Sequence, residues 1–204
     1  MLEIVIATRN PGKVKEIERI MAGLPVRWLT WRDFRDWPEV EENGATFREN
    51  ALIKARAVAG FTGLPALADD SGLEVEALGG APGVFSARYA GEQADDRMNV
   101  ARLLEEMRDV PPERRGARFV CRAALFFPQG RCLEAEGTCR GTIADAPRGE
   151  GGFGYDPVFI PQGYDLSFAE LPPREKDSLS HRGRALAALR AALEAEAAAR
   201  RGPS

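Results

Sequence analysis

Leu2-Glu3-Ile4-Val5-Ile6-Ala7-Thr8-Arg9-Asn10-Pro11-Gly12-Lys13 is the stretch from which the rest of the chain is read. Apart from Glu3, residues 2 to 7 are apolar and rich in β-branched side chains, which predicts a first strand. Val14, Ile17, Ile20 and Met21 then recur at helical spacing. Asn10 is placed to cap that helix, and Pro11 falls at its first position, where the missing N–H costs nothing. Strand, loop and helix in this order open an α/β fold.

Outward from this unit, Val26 to Thr30 predicts a second strand, and Trp31 to Asn43 an irregular, exposed acidic connection with Pro38 and Gly44 as breakers. Thr46-Phe47-Arg48-Glu49 matches a capping box and opens a helix whose Phe47, Ala51, Ile53, Ala57 and Val58 can face a core. Leu64 to Ala68 reads as a short buried strand ending at Asp69-Asp70-Ser71-Gly72, with Leu73 to Ala77 extended and Gly79 to Gly83 a structured loop. Asn99 to Met107 predicts a helix, and Ala117 to Phe127 with Cys132 to Ile143 a hairpin around Pro128-Gln129-Gly130. Gly149 to Gly154 is a flexible loop before a short strand, Pro157 to Ile160. Ser180 to Arg201 is a closing helix capped by Ser180 and ended near Gly202. Early alternation followed by a late hairpin predicts a mixed sheet in one compact domain, residues 1–204.

Composition narrows the function. A hydrophobic share of 44% and a charged share of 29% are ordinary for a soluble globular chain, and neither a targeting nor a transmembrane segment is expected. A net charge of -3 argues against wrapping nucleic acid, which needs a clustered basic surface. Cys121, Cys132 and Cys139 form neither an even disulfide set nor a CxxC pair, which fits a reducing, cytoplasmic setting. Lysine occupies only positions 13, 15, 54 and 176 among 28 basic residues, which singles out these sites as ones where a compact ammonium is required.

Four constellations can carry chemistry. At the first turn, backbone N–H groups, a helix N-terminus and Lys13 can converge on phosphate, although a capped helix with a surface lysine accounts for the same residues. Asp69-Asp70, with Glu41-Glu42 upstream, offers carboxylate oxygens to a hard cation such as Mg²⁺. Neighbours on a strand point to opposite faces, so only one aspartate can face a given cleft, and Asp-Asp-Ser-Gly is equally good turn chemistry. In Gly151-Gly152-Phe153-Gly154-Tyr155-Asp156-Pro157 a purine can stack on Phe153 or Tyr155, or both rings can belong to the core. Lys176 and Ser180-His181-Arg182 supply donors for a keto oxygen at purine C6, where an adenine amino group is unfavourable. With a single histidine, a catalytic triad or a histidine-based zinc site is not expected.

In this order, Thr8 to Lys13, Glu42-Asn43-Gly44, Thr46-Phe47, Glu49-Asn50-Ala51, Lys54-Ala55, Asp69 to Leu73, Gly80 to Gly83, Ser86 to Tyr89, Gly152 to Pro157 and Ser180 to Gly183 resemble the inosine triphosphate pyrophosphatase family. The resemblance runs from the first strand to the last helix. It implies a two-lobed α/β fold around a long mixed sheet with flanking helices, an active cleft between the lobes, Mg²⁺ dependence and a homodimer. The implied reaction converts ITP, dITP or XTP to the monophosphate and pyrophosphate.

Carried over by position, Thr8, Arg9, Asn10, Pro11, Gly12 and Lys13 would hold phosphates with Lys54, while Glu42 and Asp70 would take the metal. Asp70 would also be the base that activates water, an ordinary carboxylate needing no large pKa shift. Ser71 would contact substrate; Phe153, Gly154, Tyr155 and Asp156 would hold base and sugar; Lys176, His181 and Arg182 would read the purine edge. Tyr155 stands where some members of that family carry Trp. Three other readings fit less of the sequence: a pyrophosphatase for modified pyrimidine triphosphates resembling the septum-inhibitor proteins, a non-catalytic nucleotide sensor, and a nucleic-acid-binding protein.

Overall fold

The computed structural model describes residues 2–201, with side chains through residue 195. Six strands, β1 (Leu2–Ile6), β2 (Val26–Leu29), β3 (Ala66–Val75), β4 (Gly116–Phe126), β5 (Cys132–Ile143) and β6 (Phe159–Pro161), form one sheet in the order β2-β1-β3-β4-β5-β6. β1 runs parallel to β2 and β3, whereas β5 and β6 are antiparallel, so the sheet is mixed. The helices are α1 (Pro11–Ile20), α2 (Phe47–Thr62), α3 (Asp96–Glu106), α4 (Pro173–Leu179) and α5 (His181–Arg201). The expected helix end near Gly202 lies outside the described residues.

Two compact units divide the chain: residues 2–70, 121–137 and 182–201 form one, and residues 71–120 and 138–181 the other. In the first unit, side chains alternate across β1 and β3 as strand geometry requires. Ile4, Ile6 and Leu67 pack with Val14, Ile17, Cys121, Leu186 and Leu189, whereas Val5, Ala7, Ala66 and Ala68 pack with Ala51, Ala55, Val58 and Ala59 of α2. Helices on both faces explain why residues 2 to 7 read as a nearly continuous apolar run. The alanines of α2 let that helix lie close to the strands.

The second unit is built on Leu73, Val75, Phe119, Ile143, Phe159 and Phe168, with Val100 and Leu103 of α3. Phe119 is its aromatic centre, with ring centroids 4.7 Å from Phe159 and 5.9 Å from Phe168. Arg115 is buried there and donates to the carbonyls of Met107, Val110, Ile143 and Ala144. Its five N–H donors make it able to collect carbonyls that no regular element satisfies.

Two expectations need correction, and one further helix is found. Asp69-Asp70-Ser71-Gly72 is not a turn; β3 runs through it without a break. α3 begins at Asp96, earlier than expected, because the Asp95 carboxylate accepts from Met98 N at 2.8 Å and caps it. Pro172-Pro173 opens the short helix α4, with proline at its first position.

Candidate active site

In the first unit the faces of β3 give its two aspartates different partners. The Asp69 side chain is 1% exposed. Its Oδ2 lies 3.0 Å from Lys13 Nζ and 3.0 Å from Arg182 Nη2, and Arg182 Nη1 in turn meets Glu16 Oε2 at 2.6 Å. Burial works against the charge, but the Lys13 and Arg182 cations outweigh it and hold the Asp69 carboxyl well below the usual carboxylate range. Beside it the buried Cys121 thiol is pushed up to about 12, by burial first and by the Asp69 charge second.

Asp70 looks toward α2. Asn50 Nδ2 donates to its Oδ2 at 3.1 Å, and Lys54 Nζ stands 3.5 Å from its Oδ1. The same ammonium meets Glu42 Oε2 at 2.7 Å, so the two carboxylates singled out as metal ligands converge on one cation. Asn50 and Lys54 are four residues apart on α2 and therefore share a face. Burial pushes the Asp70 carboxyl above its ordinary value; Lys54 and Lys13 pull it back, Glu42 adds repulsion, and the net direction is up. For Lys54 burial is the largest influence and lowers its affinity for the proton, yet Asp70, Glu42 and Asp69 together raise it.

The turn before α1 forms as its sequence predicts. Asn10 Oδ1 accepts from Gly12 N at 2.8 Å and Lys13 N at 3.2 Å, and Thr8 Oγ1 accepts from Asn10 N at 3.1 Å. Thr8 is half-buried, Arg9 and Pro11 are exposed, and the Lys13 side chain leaves the helix start to reach Asp69. The turn thus presents one ammonium and a helix N-terminus to an anion.

In the second unit Asp156 organises the glycine-rich loop. Its Oδ2 accepts from Phe153 N at 2.9 Å and from Lys176 Nζ at 2.5 Å. Gly152 has φ +72°, and a Cβ there would fall 2.0 Å from that same oxygen, so the position needs glycine on both counts. Lys176 Nζ also sits 4.9 Å from the centroid of Phe153, whose ring is half-buried. Asp96, at the start of α3, accepts from Gly154 N at 2.7 Å and ties down the loop tip.

Of the two rings offered for stacking, Tyr155 belongs to the core: it is 4% exposed and its hydroxyl donates to Ser86 O at 2.8 Å. Phe153 is therefore the accessible ring. His181 is buried and stacked on Phe119, centroids 4.5 Å apart and 10° from parallel. Arg182 pairs with Asp69 and Glu16 in the first unit. Ser71 follows Asp70 on β3 and is half-buried.

Lys13, Glu42, Lys54 and Asp70 gather in the first unit, and Phe153, Gly154, Asp156 and Lys176 in the second. Sequence reading missed Glu16, Asn50 and Asp96 as functional supports. Glu16 had a visible signal, a carboxylate between the apolar Val14 and Ile17 of α1; Asn50 had one too, an amide one turn before a rare lysine.

Residues 4–192 match the model of the Ham1 family. The chain is 55% identical over 190 residues to a protein of Geobacter sulfurreducens named dITP/XTP pyrophosphatase, covering 93% of this chain and 96% of that one. A dITP/XTP pyrophosphatase of Mycobacterium tuberculosis is 52% identical over 194 residues, covering 94% and 95% respectively. Among solved structures, a HAM1 protein from Coxiella burnetii superposes with a TM-score of 0.86 at 45% identity, covering 95% of this chain and 99% of its own. The Staphylococcus aureus Ham1 protein does so with a TM-score of 0.84 at 41% identity and the same coverage.

Proposed function

The chain belongs to the Ham1 family, and from that premise we propose that it hydrolyses the non-canonical purine triphosphates ITP, dITP and XTP to the monophosphate and pyrophosphate. The observation that carries the reading is Asp70: a carboxylate within β3, made more basic by burial, with the ammonium of the scarce Lys54 3.5 Å away. The step it supports is in-line attack of water on the α-phosphorus. The water oxygen forms the new P–O bond, its proton passes to Asp70, and the bond to the pyrophosphate oxygen breaks. Lys13 and Lys54 oppose the negative charge that grows on the departing pyrophosphate, and the turn at Thr8 to Lys13 seats the phosphates.

Glu42 and Asp70 are the residues that would hold Mg²⁺. Their oxygens are hard donors, and both already reach a single cation, the Lys54 ammonium, so the donor set fits a divalent ion. Among the described residues no group of three or more acidic, histidine or cysteine side chains gathers around one metal position. When bound, Mg²⁺ supplies charge neutralisation to the triphosphate.

In the second unit Phe153 offers the base a ring to stack on, while Asp156 sets the loop backbone and places Lys176. An ammonium only donates, so Lys176 favours the C6 keto oxygen of hypoxanthine or xanthine over the amino group of adenine. Tyr155 supports this site by fixing the loop on Ser86, and in the first unit Arg182 holds Asp69. The proposal includes one domain over residues 1–204, a cytoplasmic setting and a homodimer. The exposed Phe85 and Met98 support the homodimer as apolar surface, and a sedimentation mass of twice the chain mass is its test.

Pyrophosphate release from inosine, xanthosine, guanosine, adenosine and modified pyrimidine triphosphates, with Mg²⁺ and with chelator, tests the reaction. Mg²⁺-dependent release concentrated on inosine and xanthosine substrates is expected. Binding without release would make the protein a sensor, and a pyrimidine preference would place it with the septum-inhibitor-like enzymes.

A further inference from the structure

Asn50 is 3% exposed, and both ends of its amide are engaged by groups of the proposed active site. Its Oδ1 accepts from Gly44 N at 2.8 Å, and its Nδ2 donates to Asp70 Oδ2 at 3.1 Å. A backbone N–H can only donate, so Gly44 fixes which end of the amide is oxygen and turns the NH₂ group onto Asp70. The approach is close: a Cβ on Gly44 would fall 2.7 Å from Asn50 Oδ1. The adjacent helix residue does similar work, since Glu49 Oε2 accepts from Ala45 N at 2.7 Å. The segment just after Glu42 is thereby bolted to the first turn of α2.

We propose that Asn50 is a positioning residue that sets Asp70 and Glu42 as a matched pair of ligands for a divalent cation. One amide occupies Asp70 Oδ2 and leaves Oδ1 toward Lys54; its other end anchors the backbone two residues beyond Glu42, whose Oε2 reaches the same ammonium. The separation of the two carboxylates is then governed by a single side chain on a helix that also delivers Lys54. This inference rests on the reading of Glu42 and Asp70 as metal ligands. Groups that hold ligands in place typically cost about 10–100-fold in metal affinity or activity when removed.

Mn²⁺ is the probe, with bound and free ion distinguished by electron paramagnetic resonance on the full-length protein without nucleotide. The variants are Asn50→Ala and Gly44→Ala, the second of which crowds Asn50 Oδ1 and Glu49 Cβ while keeping the Asn50 side chain, with Asp70→Asn and Glu42→Gln measured in parallel. The expected result is an Mn²⁺ Kd raised by about tenfold or more in both positioning variants. Turnover of inosine triphosphate should fall at low Mg²⁺ and recover as Mg²⁺ is raised, a rescue that a purely structural role would not give. An Mn²⁺ Kd unchanged in Gly44→Ala and in folded Asn50→Ala, with Asp70→Asn weakened, overturns the role of Asn50 and leaves the metal reading standing. Unchanged affinity in Asp70→Asn and Glu42→Gln overturns the metal reading and this inference with it.

Discussion

On one face of β3, Asp69 is sealed among Lys13, Arg182 and Glu16; on the other, Asp70 keeps 13% of its side chain exposed and shares Lys54 with the half-exposed Glu42. Successive residues of one strand thus have opposite electrostatic fates. Two full cations stabilise the charge of Asp69, so ionisation holds the first unit together. Asp70 is ionised at a cost, because burial and Glu42 oppose what the lysines and Asn50 provide. On the proposed reading, the reactive carboxylate is the one whose charge the fold disfavours.

The sharpest way to break this contrast is to neutralise each acid in turn. Asp70→Asn should lower kcat by at least about 100-fold, the usual scale for loss of a general base. The same variant should melt no lower than wild type at pH 7, since it removes a charge the fold disfavours. Retention of activity within a few-fold would remove Asp70 from the mechanism. Asp69→Asn should do the reverse in its larger effect, costing about 3–5 kcal/mol in urea unfolding by leaving the buried Arg182 and the half-buried Lys13 without their shared anion.

A pH series sharpens the contrast. Asp69 has a folded pKa below its unfolded value of about 3.9, so its contribution is complete above that value and fades as pH falls below it. Asp70 has a folded pKa above its unfolded value, so stability declines as pH rises from about 4 through the folded pKa. In acid unfolding curves, Asp69→Asn should flatten the loss below about pH 4 and Asp70→Asn should remove the decline above it. If both variants shift the curve alike, the strand does not separate the two roles. The smallest effect is expected at Thr46, whose Oγ1 caps α2 through Glu49 N at 3.1 Å. Thr46→Ala should cost about 1 kcal/mol while leaving the acid limb set by Asp69 in place.

Much of the sheet was legible because its signals are local. The apolar run at residues 2 to 7, the Asn10-Pro11 helix start and the Thr46 cap each carry their structure within a few residues. The capping box was read correctly in its forward bond, but Glu49 returns to Ala45 N instead of Thr46 N, a shift set by the fold of the loop. Asp69 to Gly72 misled for a physical reason. Their turn propensity is overridden by partners far along the chain, Arg182 among them, that only the folded protein brings to the strand.

The same distinction runs through the candidate site. Lys13, Lys54, Glu42 and Asp70 were singled out by residue type and resemblance, and the structure brings them into one unit. Whether Tyr155 faces ligand or core depends on Ser86, sixty-nine positions away, and no spacing rule contains that. The sequence around Asn50 carries no sign of its role, because a buried amide on an alanine-rich helix acquires meaning only from what lies at its two ends.

Cys121 turns the sealed side of β3 into a reporter. Its thiol has no exposed surface and resists ionisation, so a maleimide or disulfide reagent can reach it only while the first unit is open. Half-exposed Cys132, whose thiol is also pushed up by burial, should be labelled first. The lag of Cys121 behind it then measures how rarely this charged interior breathes, without any substrate.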